Sequence, residues 1–326
     1  MSTKTKIAGA DVPTSLPPGP LAESAARLLS VLDLRAKSLI VTVFGDAILP
    51  HGGTVWLGSL IDLMAPFGLG ERIMRTAVFR LVKDDWLFST PHGRRSLYGV
   101  TEAGRKRFVA AHRRIYAPAR RLWSGEWHLV FIHCCDLDLE RRESLRRELI
   151  WQGFGQVSTG VLAHPTADQE ALDRILFEFG VVDQVAVMRA SDERTGAIVP
   201  LRNMVSHCWD LEKLAEGYSG FITHFNPILK LLEGSAQPTP QEAFIIRSLL
   251  IHDYRRVLLR DPMLPEEVLS PHWTGATARL LCRNIYRHVQ EAAEHYLMNA
   301  LETVDGPLPA ATSYFYNRFG GISAGE

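Results

Sequence analysis

Six side chains between Arg72 and Lys83 have the types and spacing to act on a polyanion. Arg72, Arg75, Thr76, Phe79 and Lys83 are spaced so that an α-helix gathers them on one side, with Arg80 on the border. Ile73, Met74, Ala77, Val78 and Leu81 fall on the other side. A guanidinium can donate two parallel hydrogen bonds to a guanine edge, and a Thr methyl or an apolar ring can meet a thymine methyl. Phe79 is the odd member of the polar face: either it touches the same partner or the helix is rotated slightly. A second cationic pair, Arg94 and Arg95, follows Pro91, His92 and Gly93. Cations at such a tip can reach phosphates or a narrow minor groove. Arg-rich helix faces are usually just solvated, so the surrounding elements must decide between the two readings.

Those elements follow from periodicity and turn residues. Trp56, Leu57, Leu60, Ile61 and Met64 predict a helix over residues 55–65. Pro66, Gly68 and Gly70 interrupt it, and the second helix covers residues 71–84. Residues 86–90 and 96–100 read as two strands around a Pro91–Arg95 tip. Helix, turn, helix and hairpin is the plan of a winged helix-turn-helix unit. Leu39, Ile40, Val43, Phe44 and Ile48 predict an earlier helix over residues 34–49, and residues 21–32 a shorter one. Thr101 caps a further helix carrying Arg105, Lys106, Arg107, Arg113 and Arg114.

The charge distribution agrees with that plan. The 326-residue chain has a formal net charge of zero, yet residues 1–121 hold eighteen Lys or Arg against nine Asp or Glu. A basic front on an acidic remainder suits a nucleic-acid reader joined to a regulatory module. Residues 1–20, with four prolines, predict a flexible tail. Cys134, Cys135, Cys208 and Cys282 form no CxxC pair, which suggests a reducing compartment. With no long apolar span and no secretory signal, the expected location is the cytoplasm, away from membranes.

Beyond residue 121 the pattern changes. Residues 127–135 read as a buried strand, 139–152 as a helix, 155–163 as a strand, 167–179 as a helix and 181–189 as a strand. Such alternation predicts a ferredoxin-like α/β middle domain. From about residue 200 the chain reads as helical, with a break at Gly217 and Gly220. Helices are expected over 239–259, capped by Thr239 with Glu242, and over 274–301. The overall class is α+β: a winged helix-turn-helix domain over 21–121, a ferredoxin-like domain over 122–195 and an all-α domain over 196–326.

Several stretches together resemble one family. They are FGDAILPHGG (44–53), VWLGSLIDLMAPFGLGERIMRTAVFRLVKDDWL (55–87), GRRSLYGVTEAGRKRF (93–108), RRIY (113–116), WSGEWH (123–128), YRRVLLRDPMLPEEVLSPHWTG (254–275) and NIYRHV (284–289). They resemble the PaaX-type repressors of phenylacetate degradation. The resemblance implies a repressor of double-stranded operator DNA, usually a homodimer, released by phenylacetyl-CoA or a related acyl-CoA. Gly70 stands where that pattern favours a Ser-like helix cap, and Gly is an acceptable cap. Tyr254, Arg255, Arg256, Arg260 and Trp273 are the candidates for holding such an effector, through its phosphates and rings. Internal ion pairing is the plainer role for those arginines.

Rival chemistry has thinner support. Asp136, with Asp138 nearby, could hold Mg²⁺ as in a metal-dependent nuclease, although a strand-end Asp more often caps the next helix. His128, His133 and Cys135 lack zinc-site spacing. No catalytic residue, metal or cofactor is expected.

Overall fold

The structure is a computed structural model of the chain, and it describes residues 19–116, 123–133, 136–192 and 198–322. The expected tail, Cys134 and Cys135 lie largely or wholly outside them. The first elements are α1 (Pro20–Val31), α2 (Ala36–Val43), β1 (Thr54–Trp56), α3 (Leu57–Met64), α4 (Glu71–Lys83), β2 (Leu87–His92), β3 (Arg95–Val100) and α5 (Glu102–Ile115). There follow β4 (Glu126–Phe131), α6 (Leu139–Trp151), β5 (Gly155–Ser158), β6 (Val161–His164), α7 (Gln169–Glu178) and β7 (Ala186–Ser191). The last are α8 (Ile198–Cys208), α9 (Leu211–Glu233), α10 (Pro240–Leu258), α11 (Thr274–Ala300), β8 (Glu302–Thr303), β9 (Gly306–Pro307) and α12 (Ser313–Tyr316). No helix among the described residues is long and apolar enough to cross a membrane.

The chain forms two compact units, the first from residues 1–119, 220–259 and 277–326 and the second from 120–219 and 260–276. These limits differ from the sequential division expected from the sequence: most of the C-terminal helical chain belongs with the N-terminal region.

In the first unit α10 occupies the centre. Phe244, Ile245, Ile246, Leu249, Leu250, Ile251 and Tyr254 are all buried, and a helix apolar on every side must be enclosed. Thr239 and Glu242 make the expected capping box at its start. The expected helix over 34–49 is helical from Ala36 onward but changes pitch. After α2 comes a π turn over Phe44–Ile48 and a 3-10 turn over Leu49–His51. The expected helix over 55–65 is shorter, because residues 54–56 pair as a strand with β3. Strand order is β1-β3-β2, all antiparallel. The expected five-residue tip shrinks to Gly93 and Arg94, since Pro91 pairs with Ser96 and His92 with Arg95. Gly93 has φ of 59°, the left-handed conformation that favours glycine in a two-residue turn. The C-terminal region is not all helical: β8 and β9 form a small ladder.

The second unit holds a four-stranded antiparallel sheet of order β5-β6-β4-β7. With α6 and α7 between its strands this is the β-α-β-β-α-β order of ferredoxin-like domains. The expected single strand over 155–163 is a hairpin, turned at Gly160 with φ of 74°. Leu145, Leu149, Leu172, Ile175 and Leu176 of α6 and α7 pack with Val130 and Leu162 on one sheet face. Val205 of α8, Trp209, Leu264 and Val268 cluster with Trp127 and Ala163. Gly155 is required there, because a Cβ would stand 2.5 Å from the Trp209 ring. The helical break expected at Gly217 and Gly220 falls instead between α8 and α9.

Candidate nucleic-acid interface

Helix α4 buries Met74, Ala77, Val78 and Leu81. Arg72, Arg75, Thr76, Phe79, Arg80 and Lys83 are all exposed, so the polar face lies where the spacing placed it. Ile73 departs from expectation: it was assigned to the buried side and is exposed. Asp84 ends the helix and ion-pairs with Lys37 in the first turn of α2. Among the cations of α4, Arg75 is committed locally: its Nε and Nη2 lie 2.8 and 2.7 Å from Glu71 Oε1. The Thr76 hydroxyl donates to the Arg72 carbonyl at 2.9 Å.

The two hairpin arginines differ. Arg94 sits exposed in the turn. Arg95 stacks 4.1 Å from the Trp56 ring centre and donates to Glu302 at 3.2 Å. Trp56 itself donates from Nε1 to the Thr303 carbonyl at 2.7 Å. Arg95 therefore clamps the hairpin to its own unit. Behind the hairpin, the Thr101 hydroxyl accepts from Gly104 N at 2.9 Å, capping α5 as expected. Arg105, Lys106, Arg107 and Arg113 of that helix are exposed.

The first unit also holds a buried charge network, at which a single residue of the sequence hints. Asp46, in the π turn, accepts from Tyr116 at 2.5 Å and from Tyr286 and Arg318 at 3.0 Å each. Arg247 Nε lies 3.1 Å from Asp46, and Arg247 Nη1 donates to Glu294 at 2.5 Å. Glu294 is also 2.8 Å from His51. Arg247 and Arg318 are fully buried. Burial opposes the charge of Arg247, but the Asp46 and Glu294 carboxylates outweigh it and raise its pKa. Burial likewise pushes Glu294 up, and Arg247 with His51 overrides that and holds it at about 2. The one sequence signal was Asp46 itself, an acid set within the apolar run VFGDAIL.

The five effector candidates are divided between the two units. Tyr254, Arg255 and Arg256 belong to the first unit, Arg260 and Trp273 to the second. Tyr254 is buried against Phe221, with ring centres 5.3 Å apart. Arg255 donates to the Ser38 carbonyl and hydroxyl at 3.0 and 2.8 Å; burial lowers its pKa to about 10. Arg256 is exposed beside Asp253, 3.9 Å away. Arg260 is exposed, and Trp273 stands edge-on to Tyr218 at 6.1 Å.

For the rival chemistry, Asp138 is the helix cap, accepting from Arg141 N at 2.8 Å. Asp136 is exposed, and its backbone N–H donates to Gln184 at 2.7 Å. Among the described residues no three His, Cys, Asp or Glu are grouped to hold a metal ion. Cys135 of the proposed metal trio lies outside the described residues.

Comparison with known proteins follows the same three parts of the chain. Family models described as PaaX-like protein, PaaX protein central Cas2-like domain and PaaX-like protein C-terminal domain match residues 35–104, 120–198 and 209–299. Transcriptional repressor PaaX of Escherichia coli (strain K12) is 40% identical over 296 residues, covering 90% of this chain and 93% of the relative. A solved structure of an uncharacterized protein from Mycobacterium tuberculosis shares the fold with a TM-score of 0.52 at 24% identity, covering 80% of this chain and 98% of that one. On the strength of that near-full-length identity and the three matched segments, the chain belongs to the PaaX family.

Proposed function

We propose that the chain is a transcriptional repressor that binds double-stranded operator DNA through a winged helix-turn-helix in its first unit. The exposed cationic face of α4 carries this reading, and a 40% identical relative named as a transcriptional repressor supports it. In this arrangement α3 and α4 are the helix-turn-helix pair, and α4 lies in the major groove. Arg72 and Arg80 face base edges, with Lys83 and the cations of α5 on phosphates. The β2–β3 hairpin is the wing, with Arg94 as the side chain that reaches the backbone or minor groove. Two copies on a palindromic site, one helical turn or a multiple apart, would multiply specificity. The protein is placed in the cytoplasm with its DNA.

The effector belongs to the same proposal: phenylacetyl-CoA or a related acyl-CoA, as the family resemblance implies. Arg256 and Arg260 are exposed enough to meet a CoA phosphate. Tyr254 and Arg255 pack α10 against its neighbours, Tyr254 on Phe221 of α9 and Arg255 on Ser38 of α2. Arg255 and His252 bond Ser38 and Thr42 of α2, so strain at the end of α10 is felt by the helices that carry α4. Release follows if the ester binds the DNA-incompetent state more tightly. The test is enrichment of sheared genomic DNA on the protein, repeated with phenylacetyl-CoA at fixed salt. Selective enrichment of upstream regions that the ester abolishes is expected. Enrichment that the ester leaves unchanged would retain the DNA reader and remove the effector.

A further inference from the structure

The outermost stripe of α4 is Arg72, Thr76, Phe79 and Lys83, opposite the buried Met74, Ala77, Val78 and Leu81. Arg75 and Arg80 lie on its two flanks. Phe79 is thus not on a margin of the polar face but at its centre. It is 67% exposed, more than any other large apolar side chain of the first unit among the described residues. Other phenylalanines of that unit stack on rings, as Phe67 does on Phe244 and Phe108 on Trp86. No such contact holds Phe79 among the described residues. Its neighbour Thr76 spends its hydroxyl on the Arg72 carbonyl, which leaves the methyl as the group it offers outward. The centre of the face is therefore an apolar pair, Thr76 and Phe79, with a cation one turn away at each end.

We infer that this pair reads thymine C5-methyl groups in the major groove. A cationic frame selects a polyanion, and the only apolar group that a DNA base edge presents in the major groove is that methyl. Arg72 and Lys83 hold the helix in the groove while Phe79, with Thr76, packs on the methyls of one or two neighbouring thymines. This deepens the DNA-reading proposal and rests on it.

The test uses duplexes enriched from a random-sequence pool by the full-length chain. The best duplex is resynthesised with each thymine in turn replaced by deoxyuridine, which lacks only the methyl. Affinity is then measured for the wild type, Phe79→Ala and Phe79→Leu. At one or two adjacent positions deoxyuridine weakens the wild type by about three- to tenfold. Phe79→Ala weakens binding to the thymine duplex similarly and no longer distinguishes thymine from deoxyuridine there. Phe79→Leu keeps part of the discrimination. The salt dependence of Phe79→Ala matches the wild type, because no cation is lost. Wild-type affinity that is indifferent to every deoxyuridine, or undiminished discrimination in a folded Phe79→Ala, would overturn the inference while leaving DNA reading intact. Failure of the wild type to enrich any sequence would overturn both, and it shows at the enrichment step before any methyl is tested.

Discussion

Arg72 and Arg75 carry the same charge one turn apart, but their surroundings give them different roles. Arg75 is bonded to Glu71 one turn earlier, and both side chains are more than half exposed. Exposed pairs of this kind contribute only ~0.3–0.5 kcal/mol, yet the Glu71 carboxylate offsets part of the charge that Arg75 offers a phosphate. Arg75→Ala is expected to weaken DNA affinity by less than about threefold and to leave unfolding unchanged within ~0.5 kcal/mol; anisotropy and a thermal melt check both. Arg95→Ala should act differently, lowering the thermal midpoint because it removes the cation–π contact with Trp56 and the bond to Glu302. Reading the sequence ranked Arg72 with Arg75 and Arg94 with Arg95. The Glu71–Arg75 spacing of four was visible there and distinguishes the first pair. The partners of Arg95 come from β1 and β8, far along the chain, and no local pattern could show them.

Among the elements, the strongly periodic ones were legible and the sharp bends were not. Helix α4, the Thr101-capped α5 and the Thr239 capping box follow from apolar spacing and caps that act within one turn. The start of α3 was misjudged because Trp56 fits a helical stripe as well as a strand, and only pairing with Leu97 of β3 decides it. The β5–β6 hairpin reads as one strand from its apolar residues, although Ser158, Thr159 and Gly160 stand together where the chain turns. In the first unit close approach makes a glycine of α5 critical: at Gly104 a Cβ would lie 2.3 Å from the Trp86 carbonyl oxygen. That neighbour is backbone, so Gly104→Ala should destabilise the first unit by about 1–3 kcal/mol. Denaturant unfolding measures this, and an unchanged midpoint would mean that the α5 packing is looser than the structure has it.

At the scale of the molecule, the first unit is built from three separated chain segments joined through the Asp46, Arg247, Glu294 and Arg318 network. Removing one partner of a buried ion pair leaves an uncompensated charge and typically costs about 3–5 kcal/mol. Asp46→Ala is expected to cost that much in equilibrium unfolding, and a loss below ~1 kcal/mol would contradict the structural role given to the network. Acid should weaken the unit as well. Burial, then Arg255 and Arg256, lowers His252 to about 3, and burial, then Arg318, lowers His112 to about 4. Both stay neutral in the folded state while the unfolded chain takes up protons below 6.5, the unperturbed value. Stability is therefore present above that pH and declines as pH falls from it toward 4; Glu294 adds to the loss below its unperturbed 4.5. A melt series should show this decline, with a shallower slope for His252→Gln. None of this long-range architecture was legible in the sequence, because it depends on which distant segments meet rather than on any local period. The central claim, that α4 reads DNA, is tested most directly by titrating the enriched duplex with wild-type and Arg72→Ala protein across a salt series. The account predicts selective wild-type binding at every salt concentration and, for a folded Arg72→Ala, at least tenfold weaker binding to that duplex with relaxed sequence selectivity, as for the loss of a base-edge arginine. Equal affinity and selectivity for the two proteins would contradict it.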